Sequence, residues 1–187
     1  ARELARSAYH LRITRDLDTA KRYLRQRYES HPDARFGLLA SSKDKLLPGF
    51  GVANDFQSTK RVRFGPWYGD AESDEGGRSC RHLDVCVTEF GAQGLELDAA
   101  LLAWGSDYAR RDGSWSNALA SGYRPRRDQR SRVKDPFQLR MNAYRVLLTR
   151  GRDATVVYVP SSSECDETFD YLVASGFQPL EDVVSDE

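Results

Sequence analysis

Between residues 83 and 104 the chain passes from one apolar run to another through a short turn of small and polar residues. The first run is Leu83-Asp84-Val85-Cys86-Val87, the turn carries Gly91-Ala92-Gln93-Gly94, and the second run covers 97–104. Two strand-like runs with a tight, glycine-bearing connection are what a ligand site on an open α/β sheet requires. A second polar cluster, 142–152, leads in the same way into the apolar run 154–159.

The rest of the chain alternates between the same two patterns. Residues 1–9 read as the tail of a helix cut at its start. Leu11 to Thr14 make a short strand. Asp16 or Asp18 then caps a helix that puts Leu17, Ala20, Tyr23, Leu24 and Tyr28 on one face. Lys21, Arg22, Arg25 and Arg27 are its solvated side. His31-Pro32-Asp33 ends it, and 35–40 form a buried strand with Ser41-Ser42-Lys43-Asp44 at its carboxyl end. Asp135-Pro136 supplies an N-cap and a first-turn proline for a helix to about Leu148. Its apolar face is Phe137, Met141, Tyr144, Leu147 and Leu148, and Gly151 reads as the residue just past its end. A strand at 155–159 stops at Pro160, and 164–175 form an amphipathic helix. This alternation predicts an α/β three-layer domain with a mainly parallel sheet.

Two stretches interrupt the pattern, at about 46–80 and 108–134. The first is rich in Gly, Pro, Asp and aromatics and reads as a loop-rich insertion with one strand at most. Trp67 and Tyr68 are suited to stacking on bases, but pinning the insertion to the core is the commoner use of such rings. The second is the most basic part of the chain. It carries Arg110, Arg111, Arg124, Arg126, Arg127, Arg130, Arg132 and Lys134, with Trp115 and Tyr123 among them. It reads either as a surface that tracks a phosphate backbone or as a solvated hairpin.

Composition narrows the function classes. With 28 Lys+Arg against 28 Asp+Glu over 187 residues, there is no global basic footprint, though a local basic groove is compatible with that balance. Cys80, Cys86 and Cys165 are too few and too uneven for a disulfide framework, which suggests a reducing, cytoplasmic setting. Cys80-x-His82-x3-Cys86 lacks a fourth ligand and the spacing of a zinc site, so no metal ligands are assigned. His10, His31 and His82 have no evident nucleophile partner. No apolar run approaches a membrane span, no signal peptide is visible, and no membrane partner is expected. The opening residue is Ala1, and the chain is expected to be a piece of a longer protein.

T-E-F-G-A-Q-G-L-E-L-D (88–98) resembles motif V of superfamily 1 helicases, and V-L-L-T-R-G-R (146–152) resembles motif VI. With I-T-R-D-L-D (13–18), G-L-L-A-S-S-K-D (37–44) and W-G-S-D-Y (104–108), the chain resembles the Schlafen group 3 type DNA/RNA helicase domain over most of its length. The resemblance implies a RecA-like fold, related to the P-loop NTPases. It implies that 1–187 is the second, C-terminal such domain of an ATP-dependent DNA or RNA helicase or translocase. G-x-x-x-x-G-K-[ST], the phosphate-cradling loop, does not occur in this sequence. ATP and its Mg would therefore be held mainly by an N-terminal partner domain, and this chain alone would be inactive. A non-motor switch or scaffold with a helicase-like fold is the alternative.

The resemblance also assigns roles. Arg150 becomes the motif VI arginine that approaches the γ-phosphate, where it would stabilise charge in the transition state. Read locally, it is a helix-end arginine on the carboxyl dipole. Glu96, Gln93 and Gly94 would contact the nucleotide. Lys43, also expected to contact the nucleotide, stands where many relatives carry a motif IV arginine that reaches the γ-phosphate, and it supplies the charge without the planar fork. Thr88, Phe90, Arg124, Arg126 and Arg127 would contact nucleic acid. Phe90 and Gln93 replace a commoner His and Lys. Phe90 is suited to stacking or packing, Gln93 to a phosphate or a bridge. Asp98 and Asp107 read as turn caps, and Asn142 as a pairing residue within its helix.

Overall fold

The computed structural model describes residues 9–70, 79–122 and 135–180. Six strands form the main sheet: β1 (His10–Thr14), β2 (Phe36–Ala40), β3 (Cys86–Thr88), β4 (Leu97–Ala103), β7 (Gly151–Tyr158) and β8 (Gln178–Pro179). Their order is β3-β2-β4-β7-β1-β8, and every pairing is parallel. A small antiparallel hairpin, β5 (Ala109–Arg111) and β6 (Ser114–Ser116), stands apart. The helices are α1 (Leu17–Arg27), α2 (Phe56–Thr59), α3 (Phe64–Gly69), α4 (Pro136–Leu148) and α5 (Asp166–Ala174).

Strand side chains alternate between two cores. Leu39, Leu102 and Val157 pack with Trp67 of α3, Tyr144 and Leu147 of α4 and Leu172 of α5. Leu38, Leu101 and Val156 pack with Ala20 and Leu24 of α1. A parallel sheet covered on both faces needs apolar residues at consecutive positions, which is why F-G-L-L-A and A-A-L-L-A carry no polar alternation. Leu24 is fully buried, worth about 2 kcal/mol of apolar transfer. The fold is therefore the expected three-layer α/β domain with a parallel central sheet.

Local chemistry sets the element ends. Asp16, rather than Asp18, caps α1, accepting from the Thr19 amide at 2.5 Å. Asp135 caps α4 through the Gln138 amide at 2.9 Å, with Pro136 in the first turn. The first insertion contributes no strand among its described residues, only two short helices and 3₁₀ turns at Leu47–Phe50 and Cys80–His82.

Three expectations need correcting. The alternation of Leu83, Val85 and Val87 is not one strand. Leu83 lies at φ 57 after the 3₁₀ turn, Val85 is 37% exposed, and pairing begins at Cys86. Burial of the Leu83 side chain offsets the roughly 1–2 kcal/mol that a left-handed conformation costs. Gly151 is not a left-handed helix stop, since Thr149 ends α4 and Gly151 opens β7. A glycine is required there because a Cβ would lie 2.1 Å from the Ala154 carbonyl oxygen, where the β4–β7 register shifts. Finally, the buried face of α4 is Arg140, Ala143, Tyr144 and Leu147, while Phe137 is 38% exposed.

Candidate functional site

The polar residues of this domain gather at the two opposite edges of the parallel sheet. The turn at 89–96 leaves β3 at its carboxyl end and enters β4 at its amino end, so it spans the sheet from one edge to the other. Helix α4 runs alongside, with Arg140 near its start and Arg150 just past its last residue. Ten residues of helix separate these two arginines by about 15 Å.

At the amino edge, Arg150 closes the end of α4 onto the turn. Its Nε donates to the Val146 carbonyl at 2.9 Å, and its Nη1 to the Leu95 carbonyl at 3.0 Å and the Ala92 carbonyl at 3.4 Å. One guanidinium thus ties the end of the 146–152 stretch to the 89–96 turn. Glu96 is exposed beside it, its own carbonyl held by Tyr68 Oη at 2.8 Å. Gln93 and Gly94 are also exposed, and Gly94 sits at φ +78, a conformation suited to glycine. Asp98 does more than cap a turn. It accepts from the Arg35 amide at 2.7 Å and pairs with Arg152. Burial works against the Asp98 charge, but these partners hold its carboxyl below the usual range.

The carboxyl edge holds a buried ionic network that the sequence reading did not anticipate. Arg140, 1% exposed, donates through Nη2 to Glu89 at 2.6 Å and through Nη1 to Asp107 at 3.0 Å and Ser41 Oγ at 2.6 Å. Asp107 also accepts from Tyr144 Oη at 2.6 Å and from Ser41. Glu89 accepts from the Ser42 amide at 2.8 Å and its hydroxyl at 2.9 Å. Asp44 completes the arrangement, taking the Ser106 amide at 2.6 Å and the Leu46 and Leu47 amides at 2.8 and 2.7 Å.

Burial pushes the Asp107 carboxyl up, against the pull of Arg140, Ser41 and Tyr144. For Arg140 the balance goes the other way: burial would lower it, and the Asp107 and Glu89 charges raise it. Three donors, Arg140, Ser41 and Tyr144, converge on Asp107. The network joins the loops after β2, β3 and β4 to the start of α4. Asp107 is therefore a central acceptor and not a turn cap. The available signal was the spacing of Arg140 with Ala143, Tyr144 and Leu147, which puts a charge on the apolar stripe of a helix.

The expected site residues divide between these edges. Arg150 reaches the Ala92 and Leu95 carbonyls, with Gly94 between them and the exposed Glu96 next in the chain, whereas Gln93 lines a pocket with Glu89, Phe90, Arg140 and Val146. Lys43 lies at the carboxyl edge, in the loop after β2, so the structure does not bring it to Arg150. Its carbonyl accepts from the Ser121 amide at 2.9 Å. Thr88 ends β3, largely buried, and Phe90 follows it at 68% exposure. Arg124, Arg126, Arg127 and Tyr123 lie outside the described residues.

Trp67, Tyr68 and Trp115 are engaged by the protein itself. Trp67 is 1% exposed in the core, and Tyr68 lies under Arg35 at 4.9 Å. Trp115 stacks on Tyr108 with ring centres 4.8 Å apart, and Arg110 sits 4.2 Å over Tyr171. The hairpin carrying Arg110 and Trp115 is thereby packed against α5. Cys80 and Cys86 lie in different cores. Among the described residues no group of His, Cys, Asp and Glu has the arrangement of a metal site, and no helix is long and apolar enough to cross a membrane.

A parallel three-layer domain consistent with the RecA-like fold, with a glycine turn spanning its sheet and an arginine closing a helix upon it, falls in the broad class of open-sheet α/β domains. Within that class the chain belongs to the family described as Schlafen group 3, DNA/RNA helicase domain, which it matches over residues 1–161. No curated protein and no solved structure matches it.

Proposed function

We propose that this chain is the second, C-terminal RecA-like domain of a superfamily 1 type DNA/RNA helicase, and that it completes an ATP site begun on an N-terminal partner domain. The observation that carries this reading is the contact of Arg150 with the Ala92 and Leu95 carbonyls. It joins the two stretches that resemble motifs V and VI at one edge of the sheet, with Glu96 exposed beside them.

In this reading ATP and its Mg are held mainly by the partner domain. Arg150 meets charge developing on the transferred phosphoryl group, and Glu96, Gln93 and the Gly94 backbone contact the nucleotide. The donor set fits an anion. The guanidinium is only partly buried, and its present acceptors are neutral carbonyls that a phosphate would outcompete. The opposite edge, with Thr88 and Phe90, takes DNA or RNA, and the basic residues Arg124, Arg126 and Arg127 of the second insertion add to that binding. Lys43 belongs with that edge by its position. The Arg140 network then lies between the nucleic-acid edge and the helix that ends at the ATP edge.

The test is ATP turnover of the intact protein, with and without single-stranded nucleic acid. Turnover stimulated by nucleic acid and lost in Arg150→Ala supports a motor. Nucleotide binding without turnover in a protein with an intact phosphate loop supports a non-motor switch instead.

A further inference from the structure

We propose that Phe56, Phe64 and Phe90, with Thr88 at the floor and Lys60 at the rim, form a cleft that takes an unstacked base of a single-stranded nucleic acid. The proposal rests on the helicase reading and adds to it a substrate form and a contact surface in the first insertion.

The cleft holds about 340 Å³ beside the carboxyl end of β3. Three rings from separate elements surround it: Phe56 opens α2, Phe64 opens α3, and Phe90 stands on the motif V turn. They are 76%, 44% and 68% exposed. One exposed ring is ordinary, but three around a single cleft form an apolar surface that calls for an occupant. The rings are also held in relation to one another. Phe64 lies so close over Gly91 that a Cβ there would come within 2.3 Å of its ring. The insertion thus rests directly on the motif V turn.

Charge decides which occupant fits. The segment F-Q-S-T-K-R-V-R-F (56–64) carries Lys60, Arg61 and Arg63 and no acid. Among the described residues no carboxylate pairs with these three exposed cations. Lys60 lines the cleft, 5.6 Å over the Phe56 ring, while Arg61 and Arg63 line the neighbouring pocket with Trp67. Rings with cations at and beside the cleft suit a strand that offers π-faces and phosphates together, and stacking tolerates any base. A duplex keeps its bases paired and stacked, so the cleft selects single strands.

The experiment measures fluorescence anisotropy of a labelled single-stranded oligonucleotide with the intact protein, over a range of salt. Phe56→Ala/Phe64→Ala is expected to weaken binding roughly ten-fold or more, with the salt slope unchanged. Lys60→Ala is expected to lower the slope by about 0.7, one phosphate contact on a single strand. All three changes are at exposed positions, and thermal melting checks the fold. Normal affinity of the phenylalanine variant, with binding lost on changing Arg124, Arg126 and Arg127 to Ala, overturns the cleft and leaves the helicase reading standing. The cleft would then serve a protein partner. A wild-type protein that binds neither DNA nor RNA overturns the helicase reading itself.

Discussion

Arg140 and Asp107 are paired at 3.0 Å in a place that excludes water from both, the arginine 1% and the aspartate 0% exposed. The same guanidinium holds Glu89 at 2.6 Å. Each carboxylate has further donors, and within the cluster Arg140 Nε is buried without a partner. Removing this cation would leave two buried carboxylates without their shared partner. Arg140→Leu is therefore expected to destabilise the domain by roughly 3–5 kcal/mol. Urea unfolding measures it. A triple variant that adds Glu89→Gln and Asp107→Asn should recover part of the loss, because it removes the stranded charges. A loss under about 1 kcal/mol for Arg140→Leu would mean the network is not formed in solution.

Gly151→Ala tests a different kind of constraint. The added methyl would meet the Ala154 carbonyl and the Ala100 amide, both backbone atoms inside the sheet. Neither can swing aside as a side chain would. The variant should melt several degrees below wild type, and a glycine-tolerant surface position such as Gly65, where a Cβ meets nothing within 4 Å, should not. Equal melting of the two variants would contradict the bulge at this register.

The dependence on acid can be assigned to a residue. Burial would raise the Asp153 carboxyl, but hydrogen bonds from Tyr28 and Arg27 outweigh it and hold the group below its ordinary 3.8. A depressed carboxyl contributes stability above its unfolded value and loses it as pH falls through the folded one. Wild type should therefore lose stability below about pH 4 more steeply than Asp153→Asn. With 42% of the Asp153 side chain exposed, solvent screening keeps the difference small. Parallel melting curves of the two proteins from pH 6 to pH 3 would show that Asp153 is not the group.

How much of this was legible in the sequence follows from which forces act locally. The apolar runs at 36–40, 97–103 and 154–158 announce buried strands because a two-faced parallel strand has no polar positions to hide. Asp135-Pro136 announces a helix start because capping is a short-range effect. Arg140 was not legible as a core residue. Its partners Ser41, Glu89 and Asp107 come from three separate loops, and only the sheet order brings them together. The strand at 83–87 was misread because its alternation is that of a turn whose leucine is buried. Gly151 was assigned to the wrong constraint, since sequence shows a glycine after a helix but not the strand bulge behind it. The division of Lys43 from Arg150 between opposite edges was likewise invisible, because both look like residues at strand ends until the direction of each strand is known.

The isolated chain is expected to bind ATP weakly at most and not to turn it over, since the sequence contains no phosphate-cradling loop. A coupled phosphate-release assay on the purified domain measures this. Enzyme-like turnover, retained through a second purification and abolished by changes in this chain, would contradict a shared site.

The central claim rests on Arg150, and steady-state ATP turnover of Arg150→Ala in the intact protein tests it most directly. The structure adds a secondary effect. The side chain also bonds the Val146, Ala92 and Leu95 carbonyls, so its loss should lower stability by about 1–3 kcal/mol. Turnover must therefore be measured where the variant is shown to be folded. Under those conditions kcat should fall by roughly 10³-fold, with KM for ATP far less affected, because the guanidinium acts mainly in the transition state. Arg150→Lys should restore only part of the rate. A folded Arg150→Ala protein with near-normal kcat, its only change a lower melting temperature, would make Arg150 a helix-end clasp and contradict the helicase account.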